Sequence, residues 1–374
     1  MPWQEVSTMS LRQEFVALAM QQGVNVRELC RRFGVSPKTG YKWLSRFAAR
    51  GTAGLCDESR RPHRSPTHTA QAVEQVIVEL RDRHPSWGAR KLCRRLHDVG
   101  WRQVPAPSTV QAILVRHGRI EPAESAKHTA WQRFEHALPN ALWQMDFKGH
   151  FAIAAGRCHP LTVLDDHSRY NLCLQACADE QGHTVQSHLT HSFRRYGLPL
   201  RLLIDNGPPW GDSSDNPYTP LGAWLIRLGI RLCHSRPYHP QTLGKDERFH
   251  RTLKAEVLRE AFADLPSVQR RFDRWRMIYN FERPHEALGM QTPARRYTPS
   301  ARSFPETLPP IEYAPGDIVR QVQRPGYLCY RSRRFRMSKA FLGYPVALRP
   351  TTVDGVLEVF FCHQKIAQID LTIV

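Results

Sequence analysis

The sequence predicts a multidomain chain, with all-α units at its N-terminal end, a mixed α/β domain in the middle and a small all-β domain at its C-terminal end. Three observations lead to this order. Helix caps and apolar residues at helical spacing occupy residues 10–118, strand-like and helical segments alternate from residue 141, and short Val, Phe and Ile runs between Gly and Pro fill residues 311–374. A chain of 374 residues accommodates two to four domains of ordinary size.

The balance of charge indicates a polyanionic partner. The chain carries 53 Lys and Arg residues against 34 Asp and Glu, a net charge of +19, and residues 1–140 hold 22 of the basic residues against 12 acidic ones. Nucleic acid and an acidic membrane both fit such a surplus. Since no apolar run is long enough to cross a bilayer and no basic amphipathic helix stands out, we expect nucleic acid and no membrane partner. Residues 1–10 lack a signal-peptide pattern, which predicts a cytoplasmic protein.

Residues 1–50 are predicted to form a helix-turn-helix DNA-binding domain. A capping-box pattern, Asn25 followed by Glu28, begins a helix at 26–33. Gly34 ends that helix, because glycine readily adopts the backbone conformation that follows a helix. The resulting layout is a helix, a tight turn and a second helix, which is typical of DNA-binding motifs.

The second helix of this motif, 36–47, is the predicted recognition helix. Ser36 caps it and Pro37 occupies its first position. Its predicted DNA contacts are Lys38, Thr39 and Lys42. The residues predicted to pack inward are Val35, Tyr41 and Leu44. An ordinary helical hairpin with a solvated charged face is the alternative interpretation.

The next ninety residues are interpreted as a linker, a second helical domain and another linker. Residues 51–68 are rich in Arg, Pro, Ser and Thr and have little to bury, which predicts a basic linker. Residues 69–118 show apolar positions at helical spacing and are predicted to form a second helix-turn-helix or winged-helix-like DNA-binding domain. Its predicted DNA contacts are Arg90 and Lys91. Residues 119–140 form the second linker.

From residue 141 the pattern becomes mixed α/β, and this domain is predicted to extend to residue 283. The predicted strands are 142–147, 161–164, 170–174, 200–204 and 230–233. The predicted helices are 180–195, 219–228, 244–260 and 265–282. A Pro-rich connector, 284–310, leads to a region of short strands, 311–374, that is predicted to form a small β-barrel.

Three carboxylates of the α/β domain are candidate metal ligands. Asp146 lies inside an apolar strand, where an acidic side chain is costly unless it is paired or binds a metal. Asp205 ends another strand, and Glu247 falls in the first turn of a long helix. Taken singly, an Asp that ends a strand, such as Asp205, is more often a turn residue, and a Glu at a helix start, such as Glu247, is more often a favourable partner of the helix dipole. Together they form an oxygen-rich set that suits Mg²⁺ or Mn²⁺ and not zinc.

The chemistry of such a set is phosphodiester cleavage. An attacking water or hydroxyl must be activated and the leaving oxygen stabilised, and two divalent ions roughly 3.5–4 Å apart can do both in an in-line displacement. Three close carboxylates also repel one another, so cations and site geometry are expected to be coupled.

Three segments carry a resemblance to a known family. They are Gln144-Met-Asp-Phe, Leu203-Ile-Asp-Asn-Gly-Pro-Pro-Trp and Arg236-Pro-Tyr-His-Pro-Gln-Thr-Leu-Gly-Lys-Asp-Glu-Arg-Phe-His-Arg-Thr-Leu-Lys. They resemble the motifs of bacterial insertion-sequence transposases of the DDE superfamily, which are related to retroviral integrases. The resemblance covers nearly the whole chain. It implies a ribonuclease H-like catalytic core, two Mg²⁺ (or Mn²⁺) ions per active site, and Asp146, Asp205 and Glu247 as catalytic residues and metal ligands, with Asp146 bridging both ions.

The third motif departs from the family pattern at one position and contains an ambiguity. Leu243 stands where the family often has Asn before the glycine. Asp246 adjoins Glu247, and the Gly-Lys-x-Glu-Arg register favours Glu247 as the ligand. The gap of 41 residues between Asp205 and Glu247 is longer than the integrase norm, and the excess is assigned to the loop 212–218.

Other residues near the motifs are candidate DNA contacts. Arg251 and Lys254 recur at helical spacing from Glu247 and are predicted to hold the DNA backbone, against the alternative of a solvated basic face. His239 is a further candidate, with a structural loop histidine as the alternative. Trp210 is interpreted either as a platform for an unpaired base or as a packing residue.

These expectations combine into a DNA transposase that binds terminal inverted repeats, cleaves at the ends and joins the 3′ ends to target DNA. Because two ends must meet, a homodimer or higher oligomer on double-stranded DNA is expected. The alternatives are a transposase-derived DNA-binding regulator without catalysis and a structure-selective nuclease. The presence of all three carboxylates opposes the first alternative, and two DNA-reading units oppose the second.

Overall fold

The computed structural model describes residues 7–58, 69–120, 135–211, 217–234 and 244–372. The chain divides into two compact units, Met1–His68 and Thr69–Val374. In the part described, no helix combines the length and the apolarity that crossing a membrane requires. The two units are described separately.

The first helical unit, residues 7–58, contains three helices and a short 3₁₀ turn. They are α1 (Thr8–Ala19), α2 (Val26–Arg32), α3 (Pro37–Arg50) and the turn Gly51–Leu55. The predicted caps are confirmed, because the Asn25 side chain accepts from the N–H groups of Arg27 and Glu28, and the Ser36 hydroxyl accepts from that of Thr39. Local side-chain oxygens thus begin both helices of the motif.

Close packing of α2 against α3 depends on Gly40. A Cβ at this position would lie 2.4 Å from the Cys30 sulfur and 2.9 Å from the Phe15 ring. The inward face of α3 was predicted incorrectly at one position, since Tyr41 is 51% exposed and Trp43 is buried instead. Which face of a helix packs against its neighbours depends on tertiary contacts, and the capping pattern does not determine it.

Part of the predicted linker 51–68 is folded. Leu55 is fully buried in the first helical unit, and the Arg12 guanidinium donates to its carbonyl at 2.8 Å. Glu58 pairs with Arg46 and Arg50 of α3. Leu55 and the charged side chain of Glu58 hold this segment against the first helical unit. The polar composition of the segment did not predict these contacts.

The second helical unit comprises α4 (Gln71–Arg83), α5 (Ala89–Asp98) and α6 (Pro107–Arg116). Leu92 and Leu96 are buried. The N-cap of α6 is Ala106, so the helix begins before Ser108, the residue whose side chain could have capped it. Pro107 at the first helical position explains the earlier start.

A six-stranded mixed sheet forms the core of the α/β region. Its strands are β1 (Trp143–Phe147), β2 (Phe151–Ile153), β3 (Gly156–Asp165), β4 (Asn171–Cys177), β5 (Arg201–Ile204) and β6 (Arg231–His234). The order is β2-β3-β1-β5-β6, and β4 pairs with β3. β1 is parallel to β5 and antiparallel to β3, so the strand that carries Asp146 is central, as predicted.

Helices cover both faces of this sheet. They are α7 (Gly182–Tyr196), α8 (Pro220–Arg227), α9 (Gly244–Glu256) and α10 (Leu265–Met277). Trp143 and Met145 of β1 share an apolar core with α7 and α8. On the other face, apolar side chains of α9 and α10 pack against Leu164 and Leu174. α9 and α10 end earlier than predicted, and α10 continues as a π-helical turn, Ile278–Glu282.

The C-terminal region is small and all-β. It contains β7 (Ile318–Gln321), β8 (Tyr327–Tyr330), β9 (Arg333–Arg336), β10 (Pro345–Pro350), β11 (Val356–Phe361) and β12 (Gln364–Asp370). Four of these strands form the antiparallel sheet β12-β11-β10-β7, and β8 and β9 form a hairpin. Its buried side chains belong to the same apolar core as Trp143, so this region is continuous with the α/β core.

Candidate active site

Asp146 lies partly buried near the end of the central strand β1, and its backbone register places it opposite Thr162 of β3. Alternation along the strand sends its side chain to the face opposite Met145, toward α9. Burial, together with the nearby negative charges of Asp205, Glu180 and Glu247, raises the pKa of Asp146 to about 7, and only the Phe147 N–H opposes this rise among the causes. The sheet therefore holds this carboxyl where its charge is poorly compensated.

Asp205 and Glu247 are electrostatic neighbours of Asp146, and both are exposed. Asp205 directly follows β5, the parallel neighbour of β1, and Glu247 lies in the first turn of α9. Among the residues that the structure describes, no group of three His, Cys, Asp or Glu side chains has the geometry to hold a metal ion. The fold thus brings the three predicted carboxylates into one electrostatic neighbourhood without closing them into a ligand set.

The donor chemistry of these three residues fits a hard divalent cation. All three supply carboxylate oxygens, the ligands that Mg²⁺ and Mn²⁺ prefer. The raised pKa of Asp146, with burial as its main cause and like charges adding to it, marks a position where a nearby cation would stabilise the ionised form.

A buried polar group anchors the start of α9. Lys245 forms an ion pair with Asp166, whose carboxylate also accepts from the Gln144 side chain at 2.8 Å and from the His136 N–H at 2.9 Å. These contacts give Asp166 a structural role in the turn that follows β3. Because Lys245 precedes Glu247 by two residues, its ion pair with Asp166 fixes the N-terminal end of α9, the helix that carries Glu247.

Asp246 and Glu247 point in different directions from α9. Asp246 is fully buried, and among the described residues neither of its carboxylate oxygens has a hydrogen-bond partner. Burial raises the pKa of Asp246 well above the usual range. Asp146 and Asp166 add to that rise, while the cationic Arg169 and Lys245 oppose it. Glu247 is the exposed member of the pair.

A directed chain of hydrogen bonds links α9 to β1. The Thr162 hydroxyl donates to the Asp146 carbonyl at 2.9 Å, and it lies 2.8 Å from the His250 Nε2. A hydroxyl has one proton, so its bond to His250 must be donated by the imidazole. Burial, reinforced by Lys148, lowers the pKa of His250 to about 4, which agrees with a neutral ring that carries its proton on Nε2.

The sequence patterns did not predict these hydrogen bonds between α9, Thr162 and β1. Thr162 reaches Asp146 only through the pairing register of β1 and β3, which a local pattern does not specify. The available signal for His250 was its spacing, three residues after Glu247 on the same helix.

The predicted DNA contacts lie in different settings. Arg251 and Lys254 are exposed on α9, as is Glu247. Lys38 and Lys42 are exposed on α3, whereas Thr39 is half-buried with its hydroxyl 2.9 Å from that of Ser36. His239 lies outside the described residues, as does most of the loop 212–218.

In the second helical unit the two predicted contacts differ. Arg90 is exposed and lines a groove of about 340 Å³ near the N-terminal ends of α5 and α6. Lys91 is partly buried near Arg283 and Glu286, and burial lowers its pKa to about 8.

Two remaining candidates have structural settings. Asp165 accepts from the Asn140 N–H and from both the N–H and the hydroxyl of Ser168, which makes it the centre of the turn between β3 and β4. Trp210 is 3% exposed and stacks on Phe147 with ring centroids 5.7 Å apart, so it packs in the core and presents no free face to a base.

Several known families match parts of the chain. They are the IS481 family transposase C-terminal domain at 317–373, the integrase core domain at 136–240 and, in a second description, at 228–293, a homeodomain-like domain at 39–114 and a helix-turn-helix domain at 11–63. The integrase core match and the mixed sheet between helices confirm the predicted ribonuclease H-like core. The two N-terminal matches confirm the all-α DNA-binding units before it.

Curated relatives include two insertion-element proteins and retroviral polyproteins. The chain is 27% identical, over 67% of its length and 72% of the relative, to the insertion element IS476 uncharacterized 39.2 kDa protein of Xanthomonas euvesicatoria. It is 27% identical, over 61% of its length and 82% of the relative, to the insertion element IS407 uncharacterized 31.7 kDa protein of Burkholderia multivorans. It is 32% identical over 32% of its length to the Gag-Pro-Pol polyprotein of Simian retrovirus SRV-1, of which it spans only 6%.

Similar solved structures are retroviral integrases. One is a simian T-cell lymphotropic virus intasome in complex with PP2A regulatory subunit B56 gamma, at 16% identity and a TM-score of 0.39, covering 79% of this chain and 95% of that chain. Another is the HTLV-2 integrase catalytic core domain in complex with magnesium, at 15% identity and a TM-score of 0.33, covering 43% and 99%. The family matches and the insertion-element relatives confirm the resemblance in the three motifs: the chain is similar to the insertion-sequence transposases of the DDE superfamily, which are related to retroviral integrases.

Proposed function

We propose that the protein binds the terminal inverted repeats of an insertion sequence, hydrolyses phosphodiester bonds at the ends and joins the resulting 3′ ends to target DNA. The observation that carries this proposal is that Asp146 near the end of β1, Asp205 directly after the neighbouring β5 and Glu247 in the first turn of α9 are electrostatic neighbours, in a domain that matches the integrase core. A non-catalytic regulator has no need for a poorly compensated carboxyl at the centre of its sheet.

Asp146, Asp205 and Glu247 would hold two Mg²⁺ or Mn²⁺ ions. Such ions activate the attacking oxygen and stabilise the leaving oxygen in phosphoryl transfer. The protein's own groups set the geometry. Asp146 lies near the end of β1, and Asp205 directly follows β5, the parallel neighbour of β1. The Thr162–His250 bonds tie α9 to β1, and Lys245 fixes the start of α9.

DNA recognition is assigned to groups outside the three carboxylates, most of them basic. In the first helical unit, Lys38, Thr39 and Lys42 of α3 would contact the DNA end, and in the second, Arg90 and Lys91. Arg251 and Lys254 would hold the phosphate backbone beside Glu247, because all three are exposed on one helix, with His239 in the preceding loop. Joining two ends requires at least a homodimer on double-stranded DNA, and we place the protein in the cytoplasm with nucleoid DNA.

The test is a strand-transfer assay with purified protein, end oligonucleotides and Mg²⁺. Wild-type protein is expected to nick the end DNA and join its 3′ end, and Asp146→Asn is expected to do neither while it retains end binding. Asp165→Asn serves as a matched control, because Asp165 is a buried acid of the same sheet with a structural role. Equal activity of Asp146→Asn and wild-type protein would remove the catalytic assignment.

A further inference from the structure

A buried charged cluster joins the second helical unit to the catalytic core. It consists of Glu256, Arg283, Ser86 and Trp275, and we refer to it as the Glu256 cluster. Glu256 is the last residue of α9, and Ser86 lies in the turn between α4 and α5. The side chains of Glu256 and Arg283 are only 6% and 7% exposed, so this contact is isolated from solvent.

Each of the other three members of the Glu256 cluster contacts the Glu256 carboxylate. Arg283 pairs with one carboxylate oxygen of Glu256, and the Ser86 hydroxyl donates to the same oxygen. Arg283 also donates to the Ser86 hydroxyl at 3.3 Å, and the Trp275 indole donates to the second carboxylate oxygen at 2.7 Å. One carboxylate therefore connects α9, α10, the segment after it and the second helical unit.

Apolar contacts surround the cluster. Trp87 is fully buried beside Ser86, and the Arg283 guanidinium lies 6.0 Å from its ring centroid. Ile278 packs against the apolar core of the second helical unit. Removing one member of a buried ion pair leaves an uncompensated charge, so this junction has one strongly preferred arrangement.

The position of Glu256 on α9 gives the junction a catalytic consequence. Glu247 and Glu256 lie nine residues apart on one helix, about 14 Å along its axis. We propose that Glu256 is a positioning residue that holds the second helical unit at a fixed place relative to Glu247, so that DNA bound by that unit enters the catalytic site in one register. This inference rests on the proposed function and adds to it the element that sets where the DNA is cut.

The experiment maps cleavage positions at nucleotide resolution on end DNA with Mg²⁺. Wild-type protein is expected to cut at one position. Glu256→Gln and Ser86→Ala are expected to cut at several neighbouring positions, with end affinity unchanged, and Ser86→Thr, which keeps the hydroxyl, is expected to restore the single cut. Arg194→Ala is the control, because it breaks the exposed ion pair with Glu306 away from the junction.

Hydrogen exchange provides a readout that does not depend on cleavage. Amides of residues 84–98 are expected to exchange at least tenfold faster in Glu256→Gln and Ser86→Ala than in wild-type protein, while those of residues 11–50 stay unchanged. Ser86→Ala keeps the ion pair between Glu256 and Arg283, so this variant tests the inference even if Glu256→Gln does not fold. Wild-type protein that never cleaves would refute the proposed function, and exchange would still test the junction. A single cut, or unchanged exchange, in Ser86→Ala would overturn the inference.

Discussion

The two helical units have similar sequence patterns, but their polar side chains make different kinds of contact. The first has its own apolar core, to which Phe15, Leu29 and Leu55 contribute, and it contains the ion pair between Arg12 and Asp57. The second also has an apolar core, but its turn between α4 and α5 is tied to the catalytic core through the buried Glu256.

This difference teaches that two units of one class can serve different purposes. The ion pairs of Arg12 with Asp57 and of Arg46 with Glu58 stabilise the first unit from within, and we expect this unit to bind DNA without disturbing the catalytic helix. A unit that shares a buried charge with the catalytic helix transmits any displacement to that helix, because buried ion pairs tolerate little rearrangement. We therefore expect the first unit to govern affinity and the second to govern where the DNA is cut.

The largest expected effect is on the free energy of unfolding of each unit. Leu55→Ala and Leu92→Ala each remove a fully buried leucine, which costs about 2–5 kcal/mol. Leu55→Ala is expected to lower the free energy of unfolding of residues 7–58 alone, and Leu92→Ala that of the Thr69–Val374 unit. Urea unfolding followed by hydrogen exchange of each segment measures both. Equal destabilisation of both units by Leu55→Ala would break the comparison.

The first helical unit also illustrates what the sequence could predict. The caps at Asn25 and Ser36 were predictable because their bonds span two or three residues. The folding of Leu55 was not, because a polar and basic segment surrounds it and only the tertiary structure offers it a core. The exposure of Tyr41 was missed for the same reason.

The catalytic region shows the same division between local and distant information. The central strand of Asp146 and the first turn of Glu247 were predictable from short motifs. The contacts of Thr162 and of Glu256 were not, since each joins residues far apart in the chain through strand register or helix packing. Nothing local distinguishes Glu256 from a solvated acid near the end of a helix.

An intermediate effect is expected at the hydrogen bonds beside Asp146. Thr162→Val removes the hydroxyl that donates to the Asp146 carbonyl and accepts from His250, and an unpaired buried donor costs about 1–3 kcal/mol. We expect single-turnover cleavage to slow about tenfold or more, because each 1.4 kcal/mol in the barrier is a factor of about ten.

Thr162→Ser keeps the hydroxyl and is the matched control, expected to retain most of the rate. End affinity should not change in either variant, since the first helical unit is unaltered. A slow Thr162→Ser variant would point to packing of the methyl group instead of the hydrogen bonds.

The smallest expected effect concerns DNA affinity. Lys42 is exposed on α3, and Lys42→Ala is expected to weaken end binding several-fold and to reduce the dependence of log Kd on log salt concentration by about one. Cleavage of DNA already bound should proceed at the wild-type rate. Arg31→Ala, which removes an exposed cation of α2, is the control. A wild-type Kd for Lys42→Ala at fixed salt would exclude α3 as the reading helix.

The ion pair between Lys245 and Asp166 has a consequence for how this protein can vary. Successive residues of an α-helix differ by about 100° in direction, so a slip of one residue would exchange the buried Asp246 for Glu247. Since Lys245 holds the rotation of α9 from inside the fold, it also sets which of the two neighbouring acids meets solvent. A substitution at Lys245 would therefore act on the orientation of an acid two residues away.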